Sequence, residues 1–384
     1  MRRPAARLLL IFFCLLLSGC WDYIEVETLT FVIGAGVDTG PEEHIKLTVE
    51  TFEVKGGDQT EITAYTTSTT GLSFFNALRN LTNITGKQMF FGHSQVVIFS
   101  EEFAKKGVGQ VVGFMQRDAG VRTNMWLLVA KGASAEDVFK SEPPLAPSIG
   151  LSLNRVMQVQ ERNPTYIPVQ IWEFNRALSE EGVSPILPVI TLIEQDDKKI
   201  PMVEGSAVFE KDRLVGWLDS QDTRILNYLR SGKITGLLVT EPEFRGERKT
   251  VVAEARASEV KVSPKWENDK LSMEIVVHLF LDLHELGFEV LDYSQTDLKR
   301  FLEEAFARQL KSDIERLLNT MQNELKNDII GFGILTKKKV PQAWRKLGGE
   351  EQWVHEFPKT PVMVHVSALI TETGILAKPL VTRD

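Results

Sequence analysis

The residue best placed to do chemistry is Cys20, at the end of Leu17-Ser18-Gly19-Cys20. Arg2, Arg3 and Arg7 lie ahead of it, and Leu8 to Leu17 is an almost unbroken apolar run. A run of about ten residues is too short to span a bilayer core, which needs about 20, but it suits the apolar segment of a signal peptide. Two small residues then lead directly to a thiol. This is the pattern of a lipobox. The small residues let the backbone enter a peptidase groove, and the cysteine is the only good nucleophile nearby for a thioether to diacylglycerol. Cleavage follows on its N-terminal side. The competing reading is an uncleaved anchor with an incidental cysteine. Asp22, Glu25 and Glu27 end the apolar character just after Cys20. One acyl chain holds a protein only marginally, whereas two or more, at about 0.8 kcal/mol per buried CH₂, anchor it stably. Residues 1–19 are therefore expected to be a signal peptide, and the mature chain to be tied through Cys20 to the outer face of a cell membrane.

Other chemistry is hard to find. His284-Glu285 has Phe288 where a zinc-binding helix would place its second histidine. There is no G-x-S-x-G nucleophile elbow. Gly86-Lys87 is followed by Gln88, so it is no phosphate loop, and Gly34-x-Gly36 lacks the third glycine of a dinucleotide fingerprint. The six histidines are scattered; His93, in an apolar strand, reads as structural. Lys337-Lys338-Lys339 reads as a solvated loop. Carboxylates are plentiful, but no pair stands out for acid–base work. No catalytic residue, metal site or cofactor is expected.

The formal net charge of −8 becomes −11 once the signal-peptide arginines Arg2, Arg3 and Arg7 are removed. An acidic body is repelled by phosphate, so nucleic acid is an unfavourable partner. The two cysteines are Cys14 and Cys20. The first leaves with the signal peptide and the second is lipidated, so no internal disulfide can form and stability must come from packing. A mature chain of 365 residues, the full 384 less the 19 ahead of Cys20, is more than one core usually serves.

The elements alternate. Phe31-Val32-Ile33 begins a strand, Asp38-Thr39-Gly40-Pro41 is a turn, and His44 to Val54 alternates as a hairpin partner with one solvated face. Gly71 to Thr82 predicts a helix burying Leu72, Phe75, Leu78 and Leu81. Met89 to Phe99 and Met125 to Ala130 are strands. Ser100 and Ser134 read as helix caps, the latter boxed with Asp137. After a proline-rich loop at residues 142–147 come two helices and a strand, Pro185 to Ile193, that returns to the first sheet. A boundary is expected near residues 196–201. Val203 to Phe209, Leu214 to Leu218, a helix to Arg230 and a strand to Thr240 form a small middle unit. Two strands joined by Ser263-Pro264-Lys265 follow. A long helix is then predicted from about Ser294 to Ile329, boxed by Ser294 and Asp297, stopped by Gly331, with Leu310 and Leu317 on its buried stripe. Pro361 to Ile370 closes the chain as a strand.

This order gives an α/β (α+β) chain with antiparallel or mixed sheets. The expected division is residues 20–200, 201–248 and 249–384, with one long helix in the last. The Asp328 to Gly333 segment is the hardest to account for by composition. It is expected to be a helix stop followed by an apolar plug, Phe332, with a contact between Phe332 and partner subunits as the alternative.

Several motifs carry a resemblance. Cys20-Trp21-Asp22 after a lipobox, Ile33-Gly34-Ala35-Gly36-Val37-Asp38, and Phe91-Gly92-His93-Ser94-Gln95-Val96-Val97-Ile98-Phe99 stand in the N-terminal half. Gly205 to Phe209 with Lys211 to Leu218, and Asp328 to Gly333 with Trp344 and Trp353, follow. Together, in this order, they resemble the Ger(x)C spore germination lipoproteins over nearly the whole mature chain. Ala35 departs from the larger residue more usual between the glycines. The resemblance implies three successive α/β domains and the C subunit of a nutrient germinant receptor. It also implies a position on the outer face of the spore inner membrane, beside integral-membrane A and B subunits, and no established catalytic residue. A solute-capturing lipoprotein of a transporter is the alternative; it predicts two similar lobes, of which the sequence shows no duplication.

Overall fold

The computed structural model describes residues 25–55, 61–286 and 296–372. The chain is mixed α/β, built on two main sheets. The larger contains β1 (Leu29–Thr39), β2 (Ile45–Lys55), β3 (Glu61–Gly71), β4 (Gln88–Phe90), β5 (Val96–Ser100), β6 (Trp126–Ala130), β7 (Ile186–Gln195), β8 (Lys198–Glu210) and β9 (Arg213–Leu218). Their order is β3-β2-β1-β5-β6-β7-β8-β9, with β4 beside the start of β1. The centre, β1-β5-β6-β7, is parallel, and both flanks are antiparallel. Parallel strands need crossover helices, and these cover both faces. On one face α4 (Ala135–Phe139) and α5 (Ile149–Gln158) pack on Val96, Ile98 and Leu128. On the other, α1 (Phe74–Thr85), α2 (Glu101–Lys106), α3 (Gly109–Arg117) and α6 (Ile171–Ser179) pack on Val97, Phe99 and Leu127. Because neighbouring side chains point to opposite faces, a run such as Val96-Val97-Ile98-Phe99 is wholly buried.

This corrects the expected solvated face of the first hairpin. Thr48 and Glu50 of β2 are buried, because α4 and α5 cover the face they point to. The stretch Met89 to Phe99 is interrupted at Gly92-His93, between β4 and β5, and His93 is exposed and lies edge-on to Phe31 rather than inside a strand. In α1 the buried residues are Phe74, Ala77 and Leu81, whereas Leu72 and Phe75 are exposed. Ser73 caps the helix by accepting from the Asn76 backbone N–H, which starts it three residues later than expected and rotates its buried face. The caps at Ser100 and Ser134 are as expected.

The expected boundary near residue 200 falls inside β8, which pairs with β7 on one side and β9 on the other. Asp196-Asp197 is a hairpin turn with both φ angles positive, a conformation Asp tolerates better than most residues. Strands β8 and β9 therefore extend the first sheet instead of forming a middle unit. Helix α7 (Ser220–Ser231), capped by Asp219 and ended by Gly232, leads out of it.

The second sheet is β10-β13-β14-β15, from β10 (Leu237–Thr240), β13 (Val251–Glu267), β14 (Lys270–Leu286) and β15 (Val362–Glu372). A two-stranded ribbon, β11 (Glu243–Phe244) with β12 (Glu247–Arg248), lies between β10 and β13. The β13–β14 turn is Asn268-Asp269, again with two positive φ angles. Ser263-Pro264-Lys265, expected to be that turn, is inside β13. One face of β14 presents Met273, Ile275, Val277, Leu279 and Leu281, all buried with α8 (Thr296–Asn319). Leu310 and Leu317 are buried on the α8 stripe, as its spacing predicts. The cap expected from Ser294 lies outside the described residues.

The long helix ends earlier than Ile329. It passes into a π-helical turn over Thr320–Leu325, and Lys326, at φ 55°, stops it. Gly331, at φ 94°, opens the next helix, α9 (Phe332–Lys339), instead of closing the previous one. The lysines 337–339 form the last turn of α9, so they are not a loop. Lys337 pairs with Glu181, Lys338 with Glu180, and Lys339 donates to the Val262 carbonyl. Two short helices, α10 (Pro341–Lys346) and α11 (Glu350–Glu356), precede β15.

Candidate functional site at the junction of the sheets

Asp328 lies between the π-helical turn and α9, and its carboxylate is the hub of the junction. Oδ1 accepts from the backbone N–H groups of Gly331 (2.8 Å) and Phe332 (3.0 Å). Oδ2 accepts from Gly333 N–H (2.8 Å) and Trp353 Nε1 (3.1 Å). The first turn of a helix has four unpaired N–H groups and a partial positive charge, which a carboxylate satisfies well. The site is nonetheless dry. Burial pushes the Asp328 carboxyl up to about 6, against the pull of its four donors.

Glycines bring the two sheet units together here. A Cβ on Gly333 would lie 2.5 Å from Gly182 Cα and 2.7 Å from Trp353 Nε1. A Cβ on Gly216 of β9 would lie 2.3 Å from Leu325 Cδ2. Backbone hydrogen bonds cross the same seam, from Ser184 N–H to the Asp328 carbonyl and from Ile334 N–H to the Gly182 carbonyl. Glu350 accepts from Gly182 N–H. The motifs at Gly205–Leu218, Asp328–Gly333 and Trp353 are thus distant in sequence but adjoin in space.

Phe332 has 0 % of its surface exposed and packs against Phe357. This is the placement expected of a plug, and the alternative, a partner contact through the Phe332 ring, finds no exposed ring surface. Cys20 lies outside the described residues.

The N-terminal motif is organised by the same device. Asp38, at the end of β1, accepts from the N–H groups of Ala135 (2.7 Å) and Glu136 (3.0 Å) at the start of α4. Glu50 accepts from Ile149 (2.9 Å) and Gly150 (2.8 Å) at the start of α5. Burial raises both carboxyls above their ordinary values, and the helix N–H groups oppose it. Gly34 and Gly36 leave room for α4: a Cβ on Gly34 would be 2.5 Å from the Phe139 ring, and one on Gly36 3.0 Å from Ala135 Cβ. These glycines serve close packing, and no phosphate loop is formed. Glu136 in turn pairs with Lys46 at 2.5 Å, which holds its carboxyl down at about 2.

Reading the sequence for acid–base pairs missed Asp38, Glu50 and Asp328, because each acts alone. The available signal was a carboxylate set among residues that must be buried, as in Ile33 to Asp38. Each faces N–H donors, which stabilise a charge but accept no proton. Among the described residues no group of three or more His, Cys, Asp or Glu is placed to hold a metal ion.

The family description "Spore germination protein N-terminal domain" matches residues 22–192. "Spore germination B3/ GerAC like, C-terminal" matches residues 204–374. The chain belongs to the Ger(x)C spore germination family. Its relatives in that family are full-length matches at low identity. Spore germination protein KC of Bacillus subtilis (strain 168) is 23% identical, covering 99% of this chain and 98% of that protein. Spore germination protein B3 of the same organism is 24% identical over 98% and 100% respectively. A solved structure, "Crystal Structure of the GerBC protein", aligns with a TM-score of 0.54 at 21% identity, covering 88% of this chain and 96% of that one. This last likeness is one of fold. No helix of the described residues is long and apolar enough to cross a membrane.

Proposed function

We propose that this protein is the C subunit of a spore nutrient germinant receptor, lipid-anchored through Cys20 to the outer face of the spore inner membrane. It acts without catalysis, through contacts with integral-membrane A and B subunits. The observation that carries this reading is the match, end to end and in order, to spore germination proteins of the Ger(x)C family. The lipobox supports the anchor, and the lone, donor-facing carboxylates speak for a scaffold. The transporter alternative expects two similar lobes. Among the described residues the sheets differ in size and strand order, with nine strands in one and four in the other.

The test has three parts. Mass spectrometry of the mature N-terminus should find diacylglycerol and acyl chains on Cys20, and Cys20→Ala should leave the protein uncleaved or unanchored. Deleting the gene should abolish the response of spores to a nutrient while leaving germination by a receptor-independent trigger intact. Crosslinking in spore membranes should recover both integral-membrane subunits. An unmodified Cys20 would overturn the anchor, and normal nutrient germination without the protein would overturn the receptor role.

A further inference from the structure

Helices α7 and α8 face each other across a cleft of about 230 Å³, closed at one end by β10. At about 30 Å³ per water-sized group, that is room for roughly eight heavy atoms. Its walls divide by chemistry. Ile225, Phe306 and Leu310 form an apolar floor, while Arg224, Asp313 and Arg316 stand at the polar end.

The charges there sum to zero, two arginines against Asp222 and Asp313, but their pairing is uneven. Arg316 is satisfied twice, by Asp222 at 3.0 Å and by Asp313 at 3.2 Å. Asp313 also accepts from Gln309 at 3.3 Å. Arg224 has no such partner. Among the described residues its guanidinium makes no ion pair or hydrogen bond, and its Nε is shielded from water without an acceptor. Nε, closed to water, is equally closed to an occupant of the cleft, so the groups left to bind there are the Nη amines, which a planar carboxylate can bridge.

We propose that this cleft binds a small aliphatic monocarboxylate, its carboxylate on Arg224 and its hydrocarbon body on Ile225, Phe306 and Leu310. One guanidinium without a partner suits one carboxylate, and the nearby Asp313 disfavours a phosphate dianion more strongly. The floor would bury a branched chain of four or five carbons. The site lies between the last helix of the first sheet unit and the long helix of the second, so an occupant would touch both. Binding needs only the chain itself and does not rest on assembly with receptor subunits.

The probe is 4-methylpentanoate, titrated calorimetrically into the purified full chain in detergent, beside 4-methylpentanamide and inorganic phosphate. The acid should bind saturably with one site, and the amide and phosphate at least tenfold more weakly. Arg224→Gln should weaken the acid at least tenfold. Val239→Trp, at an exposed position on the rim of the cleft, should weaken it by obstruction with the arginine intact. It also serves if Arg224→Gln does not fold. Equal affinity for acid and amide, preference for phosphate, absence of a saturable signal, or full binding by the folded Arg224→Gln protein or by Val239→Trp would each overturn the proposal.

Discussion

Replacing Asp328 by Asn keeps the shape of the side chain and changes only its hydrogen-bonding. The carboxylate serves four donors, two on each oxygen. An amide has one oxygen and can serve two. Its NH₂ then faces two buried N–H groups that have no other acceptor. Leaving a buried donor unsatisfied costs about 1–3 kcal/mol, so Asp328→Asn should destabilise the protein by roughly 2–6 kcal/mol. The pH dependence gives a second handle. The folded carboxyl is pushed up to about 6 from an ordinary value of 3.8, so the folded state binds the proton more tightly than the unfolded state. Stability from this group is fully present below about pH 4 and is lost as pH rises through 6. At about 1.36 kcal/mol per pH unit the whole effect is about 3 kcal/mol, of which about 2 falls between pH 4.5 and 7. The Asn protein lacks this titration, so the cost of the substitution should be about 2 kcal/mol smaller at pH 7 than at pH 4.5. Urea unfolding followed by tryptophan fluorescence reads it directly, because Trp353 donates to the carboxylate and packs at a tilt against Trp344. A cost below about 1 kcal/mol at both pH values, or a cost that grows from pH 4.5 to 7, would refute the reasoning.

Three further outcomes follow from packing. Leu317→Ala, on the fully buried stripe of α8, should cost roughly 2–5 kcal/mol in urea unfolding, and an unchanged midpoint would mean the stripe is not core. Phe332→Ala should cost about 3–5 kcal/mol, measured the same way; a normal melt would remove its role as a plug. Gly333→Ala puts a methyl against backbone that cannot rotate away, so it should expose the seam between residues 182 and 333 to hydrogen exchange, whereas exchange like that of the parent protein would show the seam has slack. Lys46→Met removes the main partner of Glu136, whose carboxyl is otherwise held at about 2, and leaves it Ser68 and Lys140. Stability tied to that pair is present above about pH 4.5 and lost as pH falls through 2, so the variant should show a smaller loss on acidification to pH 2.5 in a thermal melt, and an unchanged acid limb would discount the pair.

Much of the architecture was legible where one residue type repeats at one period. The runs Val96 to Phe99 and Leu127 to Ala130 announce strands buried on both faces, and the stripe through Leu310 and Leu317 announces the long helix. What was illegible depends on partners far along the chain. Glu50 looks like the polar face of a hairpin, and only the start of α5, about a hundred residues on, makes it a buried cap. Asp196-Asp197 looks like a linker because a hairpin turn and a linker use the same residues. Gly331 looks like a helix stop, since glycine ends helices more often than it begins them. Here Lys326 takes the left-handed conformation instead, and the glycine is left for the turn that lets Asp328 reach three successive N–H groups.

The membership of β8 and β9 in the first sheet governs how such a protein can be divided. A fragment ending near residue 200 would keep β7 with one long edge bare, and bare edges recruit other strands. The complementary fragment would begin with two strands that have lost their neighbour. Both pieces would be prone to aggregate, even though the sequence matches break at about that place. Exchange of segments between related chains meets the same barrier, because a crossover there must rebuild a seam of nine paired residues against a foreign strand. A joint after α7, near Gly232, severs no strand of either sheet. Chimaeras of this chain with its relatives belong there.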